Sequence, residues 1–165
     1  MTVEDLARFP TLQNAFQQMV DSPSLRTIGH ESGPGLTVHV RSFSYKSGLP
    51  RDRTGHGGGF VFDCRALPNP GRYPEYAHLT GKDAAVIGFL DKEKVVGEFY
   101  SQALGLVDQA VEHHQRRGFT DLSVAFGCTG GQHRSVFCAE RLAAHLREKK
   151  DVRVELQHRE LELMS

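Results

Sequence analysis

The chain has 165 residues, of which 39% are apolar and 24% are charged, and its 20 basic residues balance 20 acidic ones. This length and composition predict a single globular domain with a core large enough to fold without disulfides. We expect a cytoplasmic protein without a membrane partner, since no segment has the about 20 apolar residues of a membrane helix and no secretory signal opens the chain. The net charge of zero excludes a general electrostatic attraction to nucleic acid.

The cysteine pattern excludes two common uses of this residue. Cys64, Cys128 and Cys138 are odd in number and lack Cys-x-x-Cys spacing, and no His-Glu-x-x-His motif occurs. Both features argue against a disulfide framework and against a zinc site. We therefore expect free thiols, no bound metal and no cofactor.

The first third of the chain predicts a helical segment followed by two strands. Residues 1–36 are predicted to form an N-terminal helical extension, because apolar residues recur with helical spacing between Leu12 and Met19. Residues 36–43 then alternate apolar and polar side chains, as a half-exposed strand does. Residues 59–63 read as a short apolar strand that ends at a polar cluster.

The remainder, within a domain expected over residues 37–165, alternates helices and strands. Apolar positions with helical spacing predict a long helix over residues 94–117 and another over residues 134–150. Strands are predicted at residues 122–126 and 152–156. A strand, a helix and a second strand in succession indicate a parallel pair. The sequence thus predicts an α/β domain with a mainly parallel sheet flanked by helices.

A glycine-bearing turn joins the third predicted strand to its helix and carries the clearest functional signal. Five residues separate Cys128 from Arg134, and Gly130 and Gly131 allow successive amide N–H groups to turn toward one anion. A phosphate there would lie at a helix N-terminus, with Arg134 making a two-pronged contact. The candidate phosphate-binding residues are Cys128, Thr129, Gly130, Gly131, Gln132, His133, Arg134 and Ser135. His133 either contacts the phosphate or faces solvent.

A second group of candidates follows the strand at residues 59–63. Asp63 and Arg65 stand at its end, and ligands of parallel sheets bind beyond the carboxyl ends of the strands. Arg65 therefore either supplies a second cation to the ligand or forms an ordinary ion pair with Asp63; both interpretations stay open.

The same turn also fits a different chemistry. Cysteine followed after five residues by Arg-Ser is the pattern of cysteine-dependent phosphatases, in which Cys128 would attack phosphorus and Arg134 would hold the equatorial oxygens. Such an enzyme needs a general acid, and Asp63 is the candidate. Gly127 stands where those phosphatases usually carry histidine.

Several segments, in order, resemble the C-terminal domain of the RapZ (RNase adapter protein) family. The matching segments are Ser42-Phe-Ser-Tyr-Lys-Ser-Gly-Leu-Pro50, Phe60-Val-Phe-Asp-Cys-Arg-Ala-Leu-Pro-Asn-Pro70, Leu79-Thr-Gly81, Gly127-Cys-Thr-Gly-Gly-Gln-His-Arg-Ser-Val136 and His158-Arg159. The family's N-terminal kinase-like domain carries a Gly-x-x-x-x-Gly-Lys-Ser/Thr loop that this sequence does not contain. We expect a stand-alone homologue and carry over no nucleotide hydrolysis.

The resemblance implies a sensor of an amino-sugar phosphate, glucosamine 6-phosphate, in the regulation of cell-envelope precursor supply. It places ligand contacts on residues of the glycine turn and, opposite them, on Asp63, Arg65, Thr80 and Gly81. Phosphosugar or inorganic phosphate binding is our leading hypothesis; a cysteine-dependent phosphatase or phosphotransferase and an RNA or protein adapter are the alternatives. The implied partners are RNA, a protein supplying kinase or nucleotidyltransferase activity, and a second copy of the chain.

Overall fold

The computed structural model describes residues 35–51, 55 and 59–163. The predicted N-terminal extension, apart from its last two residues, lies outside this part of the chain. In chain order the elements are β1 (Leu36–Ser44), β2 (Gly59–Asp63), α1 (Ala84–Asp91), α2 (Lys94–Arg116), β3 (Asp121–Cys128), α3 (Arg134–Arg147), β4 (Val152–His158) and α4 (Arg159–Glu162), with short 3-10 turns at Tyr45–Ser47 and Pro70–Arg72.

The four strands form one parallel sheet in the order β2-β3-β1-β4. The predicted α/β fold with a parallel sheet flanked by helices is therefore confirmed. One detail of the prediction was wrong: β3 and β4, which α3 connects, are not adjacent, because β1 lies between them and pairs with both. Val38 and Val40 of β1 are fully buried, as expected for the strand at the centre of the sheet.

The core lies between the sheet and the helices. Val124 and Phe126 of β3 are fully buried together with Leu142 of α3 and Val107 of α2. Helix α2 buries one stripe, as its helical spacing predicts, and it ends before Gly118, whose φ of 68° suits the residue after a helix. None of the helices in the described residues is both long and apolar enough to cross a membrane.

The parallel sheet brings the carboxyl ends of all four strands to one edge. In the register of β1 with β3, Ser44 lies opposite Cys128, and in the register of β2 with β3, Asp63 lies opposite Gly127. Loops that leave strands at this edge converge on a common region. The polar residues expected at the ends of β2 and β3 are thus neighbours, and the end of β1 joins them.

Candidate functional site

The loop of residues 129–133 leaves β3 at Cys128 and enters α3 at Arg134. Gly131 has a φ of 68°, and a Cβ on it would lie 2.6 Å from Glu160 Oε2 and 2.9 Å from the Ser44 nitrogen. Only glycine permits this backbone conformation without strain at such a close approach. Gly130, by contrast, has no neighbouring atom within 4 Å of an added Cβ. The tight curve of the loop therefore depends on the second of its two glycines.

The backbone amides of this loop are a second feature of the site. Within the described part of the chain, the amide N–H groups of residues 129–133 donate no backbone hydrogen bond. Helix α3 runs for 14 residues from the end of this loop, and the N-terminus of a helix carries a partial positive charge equivalent to about half an elementary charge. Free amides together with a helix N-terminus provide the donors and the field that an anion requires.

Arg134 is almost completely buried, with 4% of its surface exposed. One terminal nitrogen of its guanidinium, Nη1, donates to the carbonyl oxygens of Arg65 at 2.8 Å and Leu67 at 3.0 Å. Its Nε–H is buried and has no hydrogen-bond partner among the residues that the structure describes. Leaving such a group unsatisfied costs about 1–3 kcal/mol, and native proteins pair nearly all of them. The unpaired Nε is therefore an exception that calls for an explanation.

A cavity of about 220 Å³ opens at the loop. Among the described residues that line it, two are cations and one is a histidine, while none is aspartate or glutamate. The lining residues are Lys46, Asn69, Gly71, Ala77, Cys128, Thr129, Gly130, Gln132, His133 and Arg134. The composition of this surface favours a ligand with negative charge.

Residues 76–81 support the loop from one side. The Gln132 side chain donates to the carbonyl oxygens of Ala77 at 3.0 Å and Leu79 at 2.6 Å. His133 donates its Nε2–H to the Tyr76 carbonyl at 2.9 Å. This bond orients the imidazole while its ring lines the cavity. The expected contact of His133 with a ligand remains a prediction.

Thr80 and Gly81 lie in this supporting segment and do not line the cavity. The Gly81 amide donates to the Gln132 carbonyl at 2.9 Å, and a Cβ on Gly81 would collide with backbone atoms of the first turn of α3. The Thr80 hydroxyl donates to Asp83 at 2.8 Å, next to the start of α1. Gly81 thus contacts the loop directly and Thr80 holds Asp83 at the start of α1, while a ligand contact for either residue remains a prediction.

Asp63 and Arg65 pair with each other. The guanidinium contacts both carboxylate oxygens, at 3.0 Å and 2.6 Å, and lies 4.0 Å from the centre of the Tyr45 ring. The hydrogen bond from Arg65 holds the pKa of the Asp63 carboxyl below its usual value. Neither side chain lines the cavity. This geometry favours the ion-pair interpretation, although the main-chain oxygen of Arg65 does hold Arg134.

Cys128 lines the cavity with 2% of its surface exposed, and its Sγ lies 3.2 Å from the Ser135 hydroxyl. Ser135 is fully buried and does not line the cavity. Below them, the thiols of Cys64 and Cys138 lie 4.0 Å apart. The hydrogen bond with Cys138, reinforced by burial, raises the pKa of the Cys64 thiol well above its ordinary value.

Four lining residues were not predicted from the sequence: Lys46, Asn69, Gly71 and Ala77. Lys46 lies in the 3-10 turn that directly follows β1. The sequence contained an indication of this role, because the turn begins at the carboxyl end of a predicted strand, where ligands of parallel sheets bind. Only the strand order reveals that β1 is the neighbour of β3, which brings this lysine to the cavity that the loop also lines.

Comparison with known sequences assigns the chain to a protein family. Residues 36–162 match the family model of the RapZ C-terminal domain, and the chain belongs to this family. It is 41% identical over 137 residues to a nucleotide-binding protein of Limosilactobacillus reuteri, covering 83% of this chain and 45% of that protein. It is 38% identical over 154 residues to a nucleotide-binding protein of Nitrosococcus oceani, covering 93% and 52%. The chain thus spans about half the length of these curated relatives.

Proposed function

We propose that this domain binds a small phosphorylated sugar, with a hexosamine 6-phosphate as the leading candidate. One observation carries the proposal: the buried Nε–H of Arg134 has no partner among the described residues, at a cavity whose described lining includes two cations and no carboxylate. A phosphate dianion supplies the acceptor that this guanidinium does not find within the described chain. Its other oxygens would accept from the free amides of residues 129–133.

The size of the cavity favours a compact ligand. Pockets for drug-sized molecules typically measure about 300–1,000 Å³, whereas this one measures about 220 Å³. That supports a sugar phosphate over a complete nucleotide. The relatives are named nucleotide-binding proteins, but the present chain corresponds to only about half of each.

The wall opposite the loop would bind the sugar. The Lys46 ammonium donates to sugar hydroxyls or to the phosphate, and Asn69 presents a carboxamide. Because no carboxylate occurs among the described lining residues, an amino group on the sugar would be bound by a neutral acceptor such as Asn69 Oδ1. We expect the phosphate to contribute more to affinity than the amino group.

Calorimetric titration tests this proposal directly. Glucosamine 6-phosphate and glucose 6-phosphate are expected to bind more tightly than inorganic phosphate, while glucosamine is expected to give no measurable heat. AMP tests nucleotide binding and is expected to bind more weakly than either sugar phosphate. If no phosphorylated compound binds, the proposal is wrong.

Cysteine-dependent phosphoryl transfer is the second candidate, because Cys128 lines the same cavity beside the Ser135 hydroxyl. Against it, Asp63 pairs with Arg65 and its lowered pKa keeps it ionised at neutral pH, so it has no proton to give to a leaving group. Phosphate release from glucosamine 6-phosphate by the wild type, abolished in Cys128→Ser with binding retained, would establish the enzyme. We expect no release by either protein.

The biological role that we propose is that of a metabolite sensor in the cytoplasm, where the phosphosugar-bound domain regulates a partner protein of cell-envelope precursor metabolism. Residues 37–165 would form the sensor and residues 1–36 an extension to it. Pull-down of partners with and without glucosamine 6-phosphate tests this role. A partner set that does not respond to the ligand would contradict it.

A further inference from the structure

Two charged residues next to each other in the sequence contact the elements around the cavity without lining it. Arg159 and Glu160 begin α4, immediately after β4. Glu160 is buried, with 7% of its surface exposed. Its carboxylate is therefore placed in the interior at a cost that only specific contacts offset.

The contacts of Glu160 lead to the phosphate-binding loop. Its Oε2 accepts from the Ser44 amide at 2.9 Å, and the Ser44 hydroxyl donates to the Thr129 carbonyl at 2.6 Å. The same carboxylate oxygen lies against Gly131, where an added Cβ would come within 2.6 Å of it. Glu160 and Ser44 thus form the surface on which the first half of the loop rests.

The contacts of Arg159 lead to the opposite wall of the cavity. Its Nη2 donates to the carbonyl oxygens of Ser44 and Gly48, both at 2.9 Å, and its Nε donates to Glu160 Oε1 at 3.0 Å. Ser44 and Gly48 bracket the 3-10 turn that carries Lys46. The guanidinium therefore closes this turn and joins it to Glu160.

We infer that Arg159 and Glu160 form a clasp that positions both walls of the phosphosugar cavity, the Thr129–Gly131 backbone through Ser44 and the Lys46 turn through Gly48. Neither residue lines the cavity, so both act through other groups and are positioning residues. The inference rests on the proposed function, since it concerns how that ligand is held. A planar, five-donor guanidinium can bridge three acceptors at once, which a lysine ammonium cannot do with the same geometry.

The clasp is tested by calorimetry with inorganic phosphate and with glucosamine 6-phosphate, well below the unfolding temperature of each variant. Glu160→Ala leaves the Ser44 amide without its acceptor, and we expect binding of both ligands to weaken roughly tenfold. Glu160→Gln keeps one acceptor oxygen and is expected to recover part of that loss. The matched control is Glu162→Gln, on the same helix, whose exposed carboxylate contacts only the Gln157 side chain at 2.8 Å in the described chain; its affinity should stay within twofold of the wild type.

A double-mutant cycle separates positioning from a general loss of stability. If Arg159 acts through the turn of Lys46, Arg159→Lys should weaken glucosamine 6-phosphate binding severalfold in the wild type and much less in a Lys46→Ala background. This cycle also replaces Glu160→Ala should that variant not fold. Equal effects of Arg159→Lys in both backgrounds, or wild-type affinity in Glu160→Ala, would overturn the clasp.

Amide NMR spectra of the ligand-free chain make the two proposals separable. The clasp predicts that Glu160→Ala shifts the amide resonances of Thr129, Gly130 and Gly131, whereas Glu162→Gln does not. Unchanged loop resonances in Glu160→Ala overturn the clasp even if the wild type binds phosphate. If the wild type binds no phosphorylated ligand, the proposed function fails, and the amide shifts still decide whether the clasp sets the loop.

Discussion

Replacing Arg134 by lysine keeps a positive charge but removes the fork of nitrogens that the site uses. In the wild type, Nη1 donates to the carbonyl oxygens of Arg65 and Leu67, and Nε, which has no partner among the described residues, binds the ligand in our proposal. A single ammonium group cannot serve both sets of acceptors with this geometry. The variant should lose one charge-assisted hydrogen bond to phosphate, worth about 1.5–3 kcal/mol, and dissociation constants for phosphate should rise about ten- to 150-fold.

Calorimetry with inorganic phosphate at fixed ionic strength measures this loss, and urea unfolding shows that the variant is folded. Arg141→Lys is the matched control, because Arg141 lies on the same helix with 42% of its side chain exposed and pairs with Asp91 at 2.8 Å. We expect the control to bind within twofold of the wild type. An Arg134→Lys variant that also binds within twofold would refute the assignment of this guanidinium to the ligand.

Three further predictions concern packing, pH and thiol reactivity. Gly81→Ala should lower the free energy of unfolding by about 1–3 kcal/mol, because the new methyl group meets the His133 carbonyl and the Phe137 amide. Gly105→Ala, in open space on α2, should raise it by about 0.5–1 kcal/mol. Urea unfolding curves of the two variants that shift in the same direction would contradict the packing argument. Burial raises the pKa of Tyr100 from 10.0 to about 12, so the unfolded state loses its proton first and the free energy of unfolding should fall as the pH rises from 10 toward 12. Tyr100→Phe should remove this part of the dependence of stability on pH. An identical dependence in the variant and the wild type would rule out Tyr100 as its source. All three cysteines are buried, so Ellman's reagent should react slowly until the chain unfolds. Cys128 should react first of the three, and phosphate should slow its reaction. If Cys64, whose pKa is raised, and Cys128 react equally slowly in every condition, the ligand binds elsewhere.

Periodicity explains which elements could be predicted. Helix α2 has one apolar stripe, and β1 alternates buried and half-buried residues, so each shows the repeat of its own secondary structure. Helix α1, Ala84–Asp91, was not predicted, because apolar residues occupy nearly every position and give no helical repeat. The strand order was also beyond the sequence pattern, since the insertion of β1 between β3 and β4 depends on long-range pairing.

The site residues likewise differ in how far they could be predicted from local sequence. The glycine turn was predictable because its donors, its glycines and Arg134 are local in sequence. Lys46 and Asn69 reach the cavity only through the tertiary arrangement. The pairing of Asp63 with Arg65, the bond of Thr80 to Asp83 and the contact of Gly81 with the loop likewise required distances. Residue type alone does not distinguish a residue that contacts a ligand from one with a structural role.

The most direct test of the account is a crystal structure of the domain grown with glucosamine 6-phosphate or soaked in phosphate. The account predicts a tetrahedral anion at the loop of residues 129–133, within hydrogen-bond distance of Arg134 Nε and of at least two loop amides. An anion bound elsewhere, or an Arg134 guanidinium whose Nε finds its partner within the protein while the loop stays empty, would contradict it.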